Sequence, residues 1–159
     1  MRRYEESASN FEKAIKLDQN NYVIWGNLGD SYYWTPGRRD EAMAAYANAI
    51  SLGEKDLHRN PRDAQLLAYL AEYHAMRGEK KAALANLDAS LNVQPESPDL
   101  LFTAGIIYQQ LGDTNRALDA LEGAISLGLT TEMIRDTPNF DAIRNNPRFL
   151  GLVNGGQRK

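Results

Sequence analysis

Residues 77–121 read RGEKKAALANLDASLNVQPESPDLLFTAGIIYQQLGDTNRALDAL, and they hold one pattern twice. Ala83-Leu84-Ala85-Asn86-Leu87 recurs as Ala117-Leu118-Asp119-Ala120-Leu121, 34 residues on, and Arg77-Gly78-Glu79 recurs as Leu111-Gly112-Asp113 at the same offset. His74 aligns with Tyr108, and Ser90-Leu91 with Ala124-Ile125. Inside the period, Leu66, Leu67, Leu70, Tyr73 and His74 fall at i, i+1, i+4, i+7 and i+8, which is a stripe along a helix and not the alternation of a strand. Gly78 breaks that stripe where a helix ending calls for a positive φ. A second stripe, Ala83, Leu84, Leu87 and Leu91, stops at Pro95, and Ser97-Pro98 supplies an N-cap and a first-turn proline for the next helix. A fixed period of paired helices predicts an all-α solenoid.

The pattern continues upstream with two changes of spacing. Phe11 to Tyr46 and Ala14 to Ala49 are each 35 residues, which puts one extra residue in the turn Thr35-Pro36-Gly37-Arg38-Arg39. Ala49 to Ser90 is 41 residues, seven beyond the period. Seven residues make nearly two helical turns, so a helix lengthened by that amount keeps its face. Helix is therefore expected from about Gly53 to Asn60. Small residues recur where helices must approach closely: Gly29, Ala71 and Gly105 in first helices, and Ala49, Ser90 and Ala124 in second helices.

These residues resemble the tetratricopeptide repeat. Trp25, Leu28, Gly29, Tyr32, Ala42, Tyr46 and Ala49 follow its pattern in one repeat; Leu67, Leu70, Ala71, His74, Ala83, Leu87, Ser90 and Pro95 in the next; Leu101, Ala104, Gly105, Tyr108, Ala117, Leu121 and Ala124 in a third. Residues 4–21 resemble a second helix alone, with Ser7 and Gln19 departing from the expected Ala and Pro. The resemblance implies a right-handed superhelix over residues 1–129, divided as 4–21, 22–61, 62–95 and 96–129, and a cap and tail over 130–159. In the tail, Thr131 is expected to cap a short helix from Glu132 to Arg135, and Pro138 and Pro147 to open two further helical turns. Met133, Ile134, Phe140, Ile143, Phe149, Leu150 and Leu152 can cover the last repeat. This tail, the Trp34–Arg39 turn and the lengthened helix are together similar to repeat tails of bacterial multidomain signalling proteins, although Thr137-Pro138 departs from the Asp-Pro usual there.

Composition bounds the chemistry. The chain has 159 residues with a formal charge of −3, 43% hydrophobic residues and no cysteine. A weakly acidic chain without a basic track predicts no nucleic-acid binding, and no cysteine means no thiolate site. No apolar run approaches a membrane span, and a cytoplasmic location is expected. His74 occupies a repeat core position and His58 lies in a polar run, neither with a second ligand at metal spacing. Asp40-Glu41 and Glu79-Lys80-Lys81 suit helix starts and solvent. No acid, base or nucleophile constellation is present, so neither enzymatic activity nor a cofactor or metal is expected.

The resemblance implies a groove lined by first helices. Its inward positions are Val23, Gly26, Asp30, Tyr33 and Trp34; Gln65, Ala68, Glu72, Ala75 and Met76; and Asp99, Phe102, Ile106, Gln109 and Gln110. Aromatic and Met side chains offer large, adaptable contacts, and the three carboxylates favour a protein or peptide partner bearing Lys or Arg. The cationic clamp by which the family holds chaperone C-termini is missing, its places being taken by Gly26, Asp30, Tyr69, Asp99 and Thr103. Residues 4–18 form an amphipathic helix with no preceding partner, which points to a fragment of a longer protein or to self-association through that edge.

Overall fold

The computed structural model describes residues 3–155. The start of the expected array before Arg3 and the end of the expected tail after Gly155 lie outside them. Seven helices build the array: α1 (Tyr4–Leu17), α2 (Tyr22–Tyr33), α3 (Arg39–Leu57), α4 (Ala64–Met76), α5 (Lys80–Val93), α6 (Pro98–Gln110) and α7 (Thr114–Ser126). They pair as the hairpins α2/α3, α4/α5 and α6/α7, with α1 packed on α2 as an unpaired second helix. The carboxyl-terminal segment follows as α8 (Thr131–Asp136), a 3-10 helix η1 (Pro138–Ile143) and α9 (Pro147–Gly155). The described residues contain no strand.

Local chemistry starts and stops these helices, at Ser97 and Gly78 as the sequence predicts and at Asn21 and Asp63 besides. Asn21 Oδ1 accepts the amides of Val23 and Ile24 at 3.0 and 3.2 Å, and Asp63 Oδ1 accepts that of Leu66 at 3.0 Å. Ser97 Oγ accepts Leu100 N–H at 3.3 Å with Pro98 in the first turn. Each satisfies an amide that a helix start leaves orphaned. Gly78 closes α4 with φ 76°: Glu79 N–H donates to His74 O at 2.8 Å and Gly78 N–H to Ala75 O at 2.9 Å. That is the Schellman ending, which a residue with a Cβ disfavours. Gly112 repeats it 34 residues on, Asp113 N–H donating to Tyr108 O at 2.8 Å.

The lengthened helix is present but shorter than expected. α3 runs 19 residues and ends at Leu57, with His58 as its C-cap, so Arg59 and Asn60 belong to the turn. Gly53 is helical and buried because α4 needs the space: a Cβ there would approach Leu70 Cδ2 to 2.9 Å. The other small positions also answer a neighbour. A Cβ on Gly29 would come within 2.5 Å of the Tyr46 ring, and one on Gly105 within 2.9 Å of Leu121. Ser90 is fully buried and donates its hydroxyl to Ala64 O at 2.7 Å.

Arg38 anchors α1. Its guanidinium reaches Glu12 at 3.1 Å, Glu41 at 2.7 Å and Glu5 at 3.5 Å, and lies 4.0 Å over the Tyr32 ring. The apolar side of α1 is spent inward: Tyr4 stacks on Trp34 at 6.4 Å, and Phe11 and Ile15 join the first core cluster. Leu17 alone among the large apolar residues of α1 is exposed, at 91%, beside exposed Ser9, Asn10, Lys13 and Lys16.

At the other end the tail folds back as a lid on the third hairpin. Phe140 and Phe149, 1% and 2% exposed, join Ile134, Ile143 and Val153 over Leu118, Leu121 and Ala124. Of the residues expected there, Met133 and Leu150 instead remain exposed, and Thr131 opens α8 with Thr130 at its N-cap position.

Candidate functional site

α2, α4 and α6 lie side by side, α4 in the middle. The face they share is closed at the carboxyl ends of α2 and α6 and where the tail meets α4 and α6. Gln110 Nε2 donates to Tyr33 Oη at 2.7 Å, joining the first hairpin to the third across 77 residues of sequence. Asn139 of η1 reaches the Met76 sulfur at 4.0 Å, and the Phe140 ring meets Phe102 edge-on at 6.2 Å. Met76 and Ile106 are therefore buried, at 4% and 8%, and Phe102 is packed against the tail rather than standing free. Gln109 accepts a hydrogen bond from Thr114 Oγ1 at 3.1 Å, which commits it to its own turn. Trp34 lies at the α1 edge beneath Tyr4.

Toward the amino ends the face is open. Gln65 and Asp99 are exposed and Val23 half-buried. Between these two regions the floor is aromatic. Tyr22, Tyr69, Tyr73, Tyr46, Tyr33 and Trp34 form a chain of rings with successive centroids 6.2, 6.2, 5.9, 6.5 and 5.1 Å apart. Gly26 offers no groove side chain because its space belongs to the Tyr73 ring, which a Cβ would strike. Tyr69, which the resemblance places only among the positions of the missing cationic clamp, is a floor residue. Its clue is local: it lies one helical turn from both Glu72 and Tyr73, on neighbouring faces of α4.

Asp30 and Glu72, both half-buried, project from α2 and α4 onto this floor. Asp30 Oδ1 accepts the Tyr46 hydroxyl at 2.7 Å. Burial pushes the Asp30 carboxyl up to about 6, the Tyr46 hydrogen bond opposing the rise. Burial, and then the charge of Asp30, push Glu72 up to about 8. The three carboxylates expected to act alike are thus different: near neutral pH the pair carries roughly one negative charge, whereas Asp99 is exposed.

The raised acids have a consequence for stability. A carboxyl whose folded pKa exceeds its unfolded value holds its proton longer in the folded state, so stability falls as pH rises between the two values. For Glu72 that window runs from 4.5 to about 8. Glu72→Gln should match the wild type near the bottom of the window and exceed it above the top, by an amount on the order of a few kcal/mol. Urea unfolding across that range checks this, and equal stabilities at every pH would refute it.

Elsewhere, His74 is 9% exposed with Nδ1 2.6 Å from Glu79 Oε2, as a packed core histidine should be. His58 is exposed. Among the described residues no group of His, Asp and Glu is arranged to hold a metal, and no helix is long and apolar enough to cross a membrane.

Comparison with known proteins places this geometry among helical repeats. Residues 42–124 match the family model described as "Anaphase-promoting complex, cyclosome, subunit 3", and residues 1–21 and 22–56 match that of the tetratricopeptide repeat. The chain is 26% identical over 133 residues to BBSome complex member BBS4 of Bos taurus, covering 84% of this chain and 22% of that protein. It is 28% identical over 119 residues to anaphase-promoting complex subunit 3 of Schizosaccharomyces pombe, covering 75% and 17%. The chain thus spans less than a quarter of the length of these relatives. Among solved structures it is similar to a thermophilic TPR protein of Thermus thermophilus, with TM-score 0.58 and 21% identity over 94% of this chain and 79% of that one. It is also similar to the crystal structure of MamA, with TM-score 0.54 and 20% identity over 96% and 83%.

Proposed function

Because the chain belongs to the tetratricopeptide-repeat family, whose stacked helix pairs serve as protein-interaction modules, we propose that it is a non-catalytic scaffold holding a protein or peptide segment against the open part of its α2/α4 face. The observation that carries this reading is an aromatic floor whose Tyr22, Tyr33 and Tyr69 are half-exposed above buried Tyr46 and Tyr73, with the half-buried carboxylates of Asp30 and Glu72 on the same two helices. Rigid tyrosine rings give contact area at little cost in conformational entropy. The binding face is narrower than the full set of inward positions: Val23, Asp30, Tyr33, Gln65, Tyr69, Glu72 and Asp99 form it, while Phe102, Ile106 and Met76 serve the lid. The negative charge favours a partner that presents Lys or Arg.

Photocrosslinking tests the face directly. With p-benzoylphenylalanine replacing Gln65, a protein adduct should form in a lysate of the source cell. The same group replacing Asp88, exposed on α5, should give none. Adducts of equal yield at both positions, or at Asp88 alone, would sink the reading.

A second reading is that the chain acts as the regulatory part of a larger signalling protein, with a neighbouring domain as its partner. The same half-buried face of α2 and α4 would serve such a domain. Self-association through α1 would have to use its polar outer side and Leu17.

A further inference from the structure

The last turn of α9 holds a reactive pair. Asn154 alone among the asparagines of the sequence is followed by glycine, Gly155. Glycine has no Cβ, so its backbone nitrogen can swing toward a side chain that a bulkier residue would keep away. That nitrogen and the amide carbon of Asn154, Cγ, are one bond short of a five-membered ring. In the interior of a helix the backbone holds these two atoms apart. Asn154 and Gly155 are instead the last two residues of α9, where helices fray. Both are exposed. A Cβ built on Gly155 would meet nothing within 4 Å, so packing leaves this stretch of backbone free on that side. Among the described residues the Asn154 side chain makes no hydrogen bond. The preceding residue is committed by contrast. Val153 is 3% exposed and packs in the lid with Ile134, Phe140 and Phe149.

We infer that Asn154 is a site of spontaneous deamidation, and that the reaction loosens the lid from its end. The Gly155 nitrogen gives up its proton and bonds to Asn154 Cγ. The bond from Cγ to Nδ2 breaks, and ammonia leaves with that proton. The succinimide that remains takes up one water. Opening it between Cγ and the Gly155 nitrogen yields aspartate. Opening it between the main-chain carbonyl carbon of Asn154 and the same nitrogen yields isoaspartate. Water enters and ammonia leaves, so the step needs no oxidant, metal or enzyme. Either product places a carboxylate at the carboxyl end of a helix, where the aligned peptide dipoles are already negative. Isoaspartate also routes the main chain through Cβ and Cγ, which breaks the helical repeat of the last turn. Both changes fall one residue from Val153, which ties α9 to the rest of the lid.

The test incubates the full chain at mildly alkaline pH in heavy-oxygen water and follows every asparagine by peptide mass spectrometry, with isoaspartyl methyltransferase to mark isoaspartate. Heavy oxygen at Asn154 separates conversion during the incubation from conversion during digestion. Asn20 is the internal control: it is exposed in the turn before α2, outside any helix, but is followed by Asn21. Asn154 should convert at least about tenfold faster than Asn20, chiefly to isoaspartate, and Gly155→Ala should slow it at least about tenfold. That variant has room for its methyl group, and circular dichroism checks its fold. Conversion of Asn20 ahead of Asn154, or a rate indifferent to Gly155→Ala, would overturn the site. Hydrogen exchange reads the consequence. Asn154→Asp, which carries the charge without the rerouted main chain, should exchange about two- to fivefold faster than the wild type in α8 and α9. The isoaspartyl chain, separated by its extra negative charge, should exchange faster still, and both should match the wild type in α1 to α3. Exchange in α8 and α9 that is the same before and after conversion would overturn the loosening.

Discussion

Tyr46→Ala should destabilise the protein by about 3–5 kcal/mol, a range set by deleting a buried aromatic ring and leaving a cavity. Tyr46 is fully buried. Its ring occupies the space that Gly29 leaves open, stacks on Tyr73 at 5.9 Å and lies 6.5 Å from Tyr33. It therefore joins the first hairpin to the second. The loss should be uneven along the chain, because each unit of a solenoid is held mainly by its neighbours. Hydrogen exchange should quicken through α1, α2 and α3 while α6 and α7 keep their protection. Tyr46→Phe separates the two jobs of this residue. It keeps the ring but removes the hydroxyl given to Asp30, so the loss should fall to about 1–3 kcal/mol. The Asp30 carboxyl should rise further, since that hydrogen bond is what opposes its rise. A Tyr46→Ala variant with an unchanged urea midpoint, or one that unfolds evenly at both ends, would refute the assignment.

Fold and binding face were not equally legible in the sequence. The hairpins are written in local chemistry: the caps at Asn21, Asp63 and Ser97, the endings at Gly78 and Gly112, and the 34-residue spacing each concern residues a few positions apart. α3 ends three residues before the expected Asn60 because the offset from Ala49 to Ser90 counts the turn and the helix together, with nothing at Leu57 to divide them. The face was read less well, since its state depends on contacts far apart in the chain. Helical periodicity tells which side of α6 carries Phe102 and Ile106. It does not tell that the tail turns back so that Phe140 covers Phe102 and Asn139 reaches Met76, 63 residues away. It likewise marks Gly26 as inward without revealing that the Tyr73 ring fills that place. Asp30 and Glu72 were recognised as acids in the face. Their mutual repulsion required knowing how α2 and α4 are juxtaposed, which no spacing within either helix encodes.

Phe140→Ala should be the counterpart at the opposite end, also costing about 3–5 kcal/mol. Phe140 is 1% exposed and touches both Phe102 and Phe149, with ring centroids 6.2 and 6.1 Å away. It is the keystone of a lid whose other large members, Ile134, Phe149 and Val153, have few partners beyond one another and α6 and α7. Without it, Leu118 and Leu121, now 1% and 0% exposed, would meet water, and terminal repeats depend on just such a covering. Hydrogen exchange should quicken from α6 onward and spare α1 to α3, the reverse of the Tyr46 pattern. Phe140 and Tyr46 belong to separate core clusters, so the double variant's loss should equal the sum of the two within about 0.5 kcal/mol. Coupling well beyond that would mean that the lid and the first hairpin unfold as one unit. The lid also bears on binding, since it hides Phe102 and Ile106: removing the Phe140 ring should extend the open apolar face toward α6. Dye binding by 8-anilinonaphthalene-1-sulfonate under native conditions reads this. Increased fluorescence is expected for Phe140→Ala and not for the surface control Asp88→Ala. Unchanged fluorescence together with unchanged stability would show that the tail does not hold this end closed.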